Sequence, residues 1–321
     1  MALSHDDLWP RAGGWPDADS APAWDAVILG IPAFRTSLSP TGAHATPAAI
    51  REALTRYSPT VIGPGEPHDL NEVLRIADAG DVADPDGPAG EAAVRARVED
   101  LAGRSDLMVA LGGDNSLTCP VAEGADAAGL ITLDAHFDLR DGVSNGSPVR
   151  RLIAGGLDPH RVVQIGIADF ANSAAYARRA ADLGIRVITL DKLRRRGAAD
   201  VVAEALEVAG GGSGASGSGS GGSGPAAGHA GGAGGGIHLD IDVDVCDRSV
   251  APACPASVPG GLRATELRTL VRALSSDARV RSADIVEVDA TADTPDQRTV
   301  RLAALCVLEL LAGLAARRDP S

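Results

Sequence analysis

Apolar and polar positions follow two rhythms along this chain. Short, mostly apolar runs fall at residues 26–31, 73–77, 106–111, 130–133, 162–167, 186–189, 237–241 and 283–286. Apolar runs of this length without alternation predict strands buried on both faces. Between them lie Ala-, Leu- and Arg-rich segments with helical spacing, at 47–57, 90–103, 116–124, 170–183, 198–209, 264–275 and 296–316. Strands alternating with helices predict a mostly parallel sheet of about eight strands with a helical layer on each face, an α/β/α sandwich.

Two segments break the rhythm. Residues 1–24 are rich in Pro, Asp and Ala and have no period, so a flexible N-terminal tail is expected there. Residues 210–236 are almost entirely Gly, Ser and Ala. Such a composition buries too little apolar area to offset its chain entropy. It separates a helix from a strand that must still join the sheet. We therefore expect a disordered insertion in a crossover of one domain, 25–321, and not a domain boundary. Closure entropy grows only logarithmically with loop length, so such an insertion is tolerated.

Composition narrows the chemistry. The 321 residues include 29 Lys+Arg and 43 Asp+Glu, a formal net charge of −14. A phosphate backbone or an anionic membrane surface needs a basic face, so neither is an expected partner. Aromatics are 2% of the chain, which leaves the core to Ala, Val, Leu and Ile. Four cysteines (Cys119, Cys246, Cys254 and Cys306) form no CxxC pair. They read as reduced thiols of a cytoplasmic protein. The N-terminus lacks a basic segment followed by an apolar one, so no signal peptide is expected. No apolar run approaches the ~18 residues of a membrane span.

The chemistry-bearing residues cluster at strand ends. In LITLDAHFD, Asp134, His136 and Asp138 occupy every second position, and an extended segment points such residues to one side. In HLDIDVDVCD, Asp240, Asp242 and Asp244 again share one parity. Several ionised carboxylates at the end of a buried strand are costly without cations. Oxygen donors with one imidazole suit Mn²⁺ or a similar divalent ion. Helix caps and solvated turns are the competing reading of each cluster. LGGDNSLTCP follows a third apolar strand, where Asn115 or Ser116 could cap the helix that opens. Glu287 follows a fourth strand, either as a solvated carboxylate or as the partner of an amidine or guanidinium group.

Together these segments resemble the ureohydrolases: arginase, agmatinase, formimidoylglutamase and their relatives. LITLDAHFD matches the family's central motif, and DVDVCDRSVAPACPASVPGG matches a second in its aspartates, Pro252 and Gly261. LGGDNSLTCP matches a third except at Asn115, where the family carries a metal-binding histidine. The resemblance implies the arginase-like fold and two Mn²⁺ ions bridged by Asp134 and Asp242. Asp138 and Asn115 would complete one ion, and His136 and Asp244 the other. A hydroxide between them would attack the amidino carbon, with Glu287 holding its nitrogens. The resemblance further implies a small amidine or guanidino substrate and a homo-oligomer, trimer or hexamer.

Other departures shape the choice of substrate. Asp240 and Arg248 stand where the family usually has Ser and often has Pro. In the loop SNGSP, Asn145 replaces the shuttle histidine of agmatinases. With the HFDLR segment, this leans toward formimidoylglutamase, which cleaves N-formimidoyl-L-glutamate to glutamate and formamide in histidine degradation. Agmatinase, releasing urea, is the alternative. A weakly catalytic or non-catalytic metal-binding homologue is a second alternative, because Asn115 and Asn145 replace two histidines. Asn145, Arg150 and His44 are expected substrate contacts, although a plain surface role suits His44 equally well. Arg151, which with Arg150 follows the same loop, could likewise pair with a substrate carboxylate. His68, His160, His229 and His238 have no assignment.

Overall fold

The computed structural model describes residues 6–63, 65–212 and 235–318. Eight strands form the central sheet: β1 (Trp24–Ile31), β2 (Ile76–Asp81), β3 (Ser105–Gly112), β4 (Gly129–Leu133), β5 (Val162–Ile167), β6 (Arg186–Thr189), β7 (Ile237–Asp242) and β8 (Val280–Val286). Their order is β2-β1-β3-β8-β7-β4-β5-β6, and every pairing is parallel. Parallel strands need crossovers, and helices supply them. These are α1 (Thr46–Leu54), α2 (Gly87–Ala102), α3 (Thr118–Gly124), α4 (Pro148–Ala154), α5 (Ala174–Leu183), α6 (Leu190–Arg196), α7 (Ala198–Ala209), α8 (Ala264–Ser275) and α9 (Arg298–Ala316). The expected α/β/α sandwich is thus the observed architecture.

The core follows from the apolar runs. One layer packs Ile28, Val109, Leu239 and Ile285 against α1, α8 and α9, and the other packs Val27, Leu29 and Met108 against α2 and α3. Helix α9 is long and apolar enough to cross a membrane by length and composition. Here most of it is buried against α1 and α8, as a core helix would be.

Several boundaries differ from expectation. The strand expected at 73–77 begins at Ile76, because Leu70–Val73 forms one helical turn capped by the Asp69 side chain. The helix expected from 170 begins at Ala174, where Ser173 accepts the Tyr176 N–H. Helices α4 and α6 were not foreseen, being short and rich in Arg. Residues 6–23, expected as a loose tail, lie against the domain: Ala12 and Ala18 are buried, and Trp15 donates its indole N–H to Asn71 at 2.9 Å. Most of the expected 210–236 insertion, residues 213–234 with His229, lies outside the described residues.

Candidate metal centre

The four central strands end side by side; those before His136, Asp242 and Glu287 deliver residues to a common cavity, and the fourth places Asn115 behind them. Strand β4 runs into Asp134, His136 and Asp138, and β7 ends in Asp242 and Asp244. Strand β8 ends before Glu287, and β3 before Asp114 and Asn115. Ligands gather at the carboxyl ends of strands in such sheets. The β3 turn depends on glycine: a Cβ on Gly113 would lie 2.0 Å from the Ala33 carbonyl oxygen. That turn is capped by Asp114, which accepts the Ser116 N–H at 3.1 Å, and not by Asn115 or Ser116. Asp138 and Glu287 hold left-handed backbones, with φ of 52° and 64°. This conformation costs non-glycine residues about 1–2 kcal/mol, and here it falls on two residues that face the cavity.

Three of the six expected ligands come together in one cluster. One ligand atom each from Asp134, His136 and Asp244 lies within 4.8 Å of the others. His136 Nδ1 is 2.6 Å from Asp244 Oδ2 and 3.6 Å from Asp134 Oδ1. The backbone holds the carboxylates in place: Asp244 accepts the Ala135 N–H at 3.0 Å, Asp134 that of His136 at 2.6 Å, and Asp242 that of Asp244 at 2.8 Å. Asp134 Oδ2 is buried and has no hydrogen-bond partner among the described residues.

Asn115 bridges the other half of the centre. Its side-chain nitrogen donates to Asp138 Oδ2 at 2.7 Å and to Asp242 Oδ2 at 3.3 Å, while its oxygen accepts from the Thr118 hydroxyl at 2.5 Å. In this arrangement Asn115 steadies two carboxylates through its amide nitrogen, and its oxygen is turned away from them. Glu287 Oε1 accepts both the Asn115 N–H at 2.8 Å and the Asn145 side chain at 2.9 Å, so Oε2 is left for a ligand. Asn145 in turn accepts the Leu38 N–H at 3.0 Å.

The electrostatics are those of a cation site. Burial, reinforced by Asp244, pushes the Asp134 carboxyl up to about 7. Burial first and Asp134 next raise Asp138, and burial with Asp244 raises Asp242, both well above the carboxylate range. Burial and the Asp114 carboxylate push Glu287 up to about 8. Burial alone would lower His136, but Asp244 and Asp134 override it and raise the imidazole to about 12. Burial would raise Asp244 as well, but His136 beside it holds that carboxyl below the usual range. At the raised carboxyls, divalent cations are the alternative to protons. Buried oxygen donors, one imidazole and an unpartnered Asp134 oxygen fit Mn²⁺.

The cavity measures about 260 Å³, and Leu38, Phe137, Arg140, Asn172 and Tyr176 form its outer wall. Two expected substrate contacts do not line it. Arg150 spends its guanidinium on the carbonyls of Arg140 and Gly142, bracing the loop that carries Asn145. His44 is exposed and packs on Phe34, with ring centroids 4.8 Å apart. Arg151 is likewise taken, pairing with Glu91 at 2.6 Å. Sequence reasoning missed Arg140, whose side chain lines the cavity and has no carboxylate partner among the described residues. Its place two residues after Asp138, in the same HFDLR segment, was the available signal. It also missed Cys254, which lies beside Asp242 and Asp244. His238 serves the core, contacting Ser282 at 2.8 Å and Asp284 at 3.1 Å.

A parallel α/β sheet with a carboxylate-rich cation centre at its carboxyl edge defines a metallohydrolase-like class of protein. Residues 24–215 and 226–313 match the arginase family, and the chain belongs to that family. It is 34% identical to a formimidoylglutamase of Halobacterium salinarum, covering 93% of this chain and 90% of that protein. The solved formimidoylglutamase of Bacillus subtilis superimposes with a TM-score of 0.81 at 27% identity, covering 97% of this chain and 94% of that one. An agmatinase of Salmonella newport is 28% identical over 92% of this chain and 89% of its own length.

Proposed function

We propose that this chain hydrolyses N-formimidoyl-L-glutamate, adding water across the formimidoyl C–N bond to give glutamate and formamide. The observation that carries this reading is a cavity lined both by Glu287 and by Arg140, an arginine with no carboxylate partner among the described residues. Glu287 Oε2 offers an acceptor to the formimidoyl N–H groups, and Arg140 offers a cation to a substrate carboxylate. The similarity to formimidoylglutamases at 30–34% identity supports the same choice. Asp134, His136, Asp138, Asp242 and Asp244 would hold Mn²⁺, which supplies Lewis acidity and water activation when bound.

The chain's own groups then orient the reaction. A bound amidinium favours the ionised form of Glu287, offsetting the burial that raises it. Asn145 fixes the Glu287 carboxylate, and Leu38 fixes Asn145. Asn115 keeps Asp138 and Asp242 from drifting apart as they ionise. Agmatine, the alternative substrate, carries a cationic tail toward Arg140 and is disfavoured there.

The test is product identity. Mn²⁺-loaded protein is supplied with each compound in turn and followed by proton NMR. Formamide and glutamate from the first, with no urea from agmatine, is the expected result. Urea from agmatine without turnover of formimidoylglutamate would replace this reading with the agmatinase one. Turnover of neither would favour the non-catalytic reading.

A further inference from the structure

We infer that Cys254 gives the centre a sulfur arm, so that Cys254, Asp242 and Asp244 together take a thiophilic divalent cation such as Co²⁺, Zn²⁺ or Cd²⁺. This goes beyond the proposed hydrolysis and does not rest on its substrate. One ligand atom from each of the three residues lies within 4.8 Å of the other two. All three are buried, with Cys254 fully so. Their group shares Asp244 with the Asp134–His136–Asp244 group, whose Asp134 Oδ2 is buried and unpartnered.

The thiol is held in place. The Cys254 carbonyl accepts the Arg248 guanidinium at 2.6 Å and the Ser257 hydroxyl at 3.2 Å. The backbone N–H groups of Ala256 and Ser257 turn back toward the sulfur. Cys254 lies just behind the cavity, whose lining includes Asp242, Asp244 and the two residues that follow the cysteine, Pro255 and Ala256. Cys246, Cys254 and Cys306 all belong to the main core, but among the described residues only Cys254 brings its sulfur to Asp242 and Asp244, and Cys119 contacts Glu123.

The choice of cation follows from ligand softness. A thiolate binds Co²⁺, Zn²⁺ and Cd²⁺ well and Mn²⁺ poorly. An oxygen-preferring ion leaves the thiol proton in place. A thiophilic ion displaces it: the S–H bond breaks, an S–metal bond forms and the proton leaves to solvent, with no change of oxidation state.

The test uses the full chain, freed of metal and kept under reductant. Addition of Co²⁺ is followed by absorption. The expected result is a sulfur-to-cobalt charge-transfer band in the near ultraviolet that Mn²⁺ does not produce. The band should vanish in Cys254→Ser and in Cys254→Ala, and should persist in Cys119→Ser and Cys246→Ser. Cd²⁺ affinity should fall at least about tenfold in Cys254→Ser, the range seen when a metal site loses a supporting group, with Mn²⁺ affinity nearly unchanged. No band in the unaltered chain overturns the inference, whether or not the variants fold. A band that survives in a folded Cys254 variant overturns it equally.

Discussion

Replacing Glu287 with Gln separates recognition from folding. Both protein hydrogen bonds to this carboxylate fall on Oε1, from Asn115 at 2.8 Å and Asn145 at 2.9 Å. A glutamine carbonyl at that position accepts both. Its amide nitrogen then occupies the place of Oε2 and presents a donor to the donors of the amidinium. The variant loses at least one charge-assisted hydrogen bond, worth about 1.5–3 kcal/mol. At about 1.4 kcal/mol per factor of ten, kcat/KM for formimidoylglutamate should fall roughly 10- to 150-fold. Stability should move the other way. The folded protein raises Glu287 to about 8, so ionising it at neutral pH opposes folding. The metal-free variant should therefore melt no lower than the unaltered protein. Steady-state kinetics on Mn²⁺-loaded protein and calorimetry on metal-free protein give both numbers. An unchanged kcat/KM would refute the role of Glu287. A lost activity that tracks a lower Tm would show Glu287 to be a structural residue.

Further predictions address the rest of the centre. Asp134 and Glu287 are raised above their unfolded values, to about 7 and about 8, so the folded metal-free protein binds more protons than the unfolded chain from about pH 4 upward. Its stability should fall as pH rises from about 5 to 8, which urea titrations at several pH values would read; stability that rises across this window contradicts the assignment. Arg140→Gln should raise KM for formimidoylglutamate by about fivefold, the ~1 kcal/mol expected of an exposed ion pair, and leave kcat within twofold. Arg150→Met should act through the Asn145 loop: kcat should fall while the preference for a carboxylate-bearing substrate persists, and a loss of that preference would return Arg150 to the substrate. Asn115→Leu leaves Asp138 and Asp242 without their shared donor, at a cost of about 1–3 kcal/mol in Mn²⁺-loaded stability, measurable as a lower urea midpoint.

The fold was legible because its strands are short, mostly apolar runs without strict alternation, as a sheet buried on both faces requires. The expected runs at 106–111, 130–133, 162–167, 186–189 and 237–241 each fall on an observed strand. What escaped was local. The register near Ile76 depends on a cap at Asp69, and the Arg-rich α6 carries a weak apolar stripe. The ligand cluster was legible from parity at strand ends. The substrate side was less so, because an arginine's target is set by tertiary contacts. Arg150 and Arg151 find carbonyls and Glu91, whereas Arg140 is left facing the cavity. Cys254 escaped because it stands ten positions beyond Asp244 and returns through a turn that the sequence does not announce.

The most direct test of the central claim is metal content. Metal-free protein is loaded with Mn²⁺, desalted and analysed by elemental mass spectrometry beside Asp134→Asn and Asp244→Asn. One Mn²⁺ per chain, held by Asp134, His136 and Asp244, should survive desalting. A second, held by Asp138 and Asp242 beside Asn115, should be retained only in excess Mn²⁺, and both substitutions should remove the first ion. A chain that retains no Mn²⁺ at any concentration, or aspartate variants that retain as much as the unaltered protein, would contradict it.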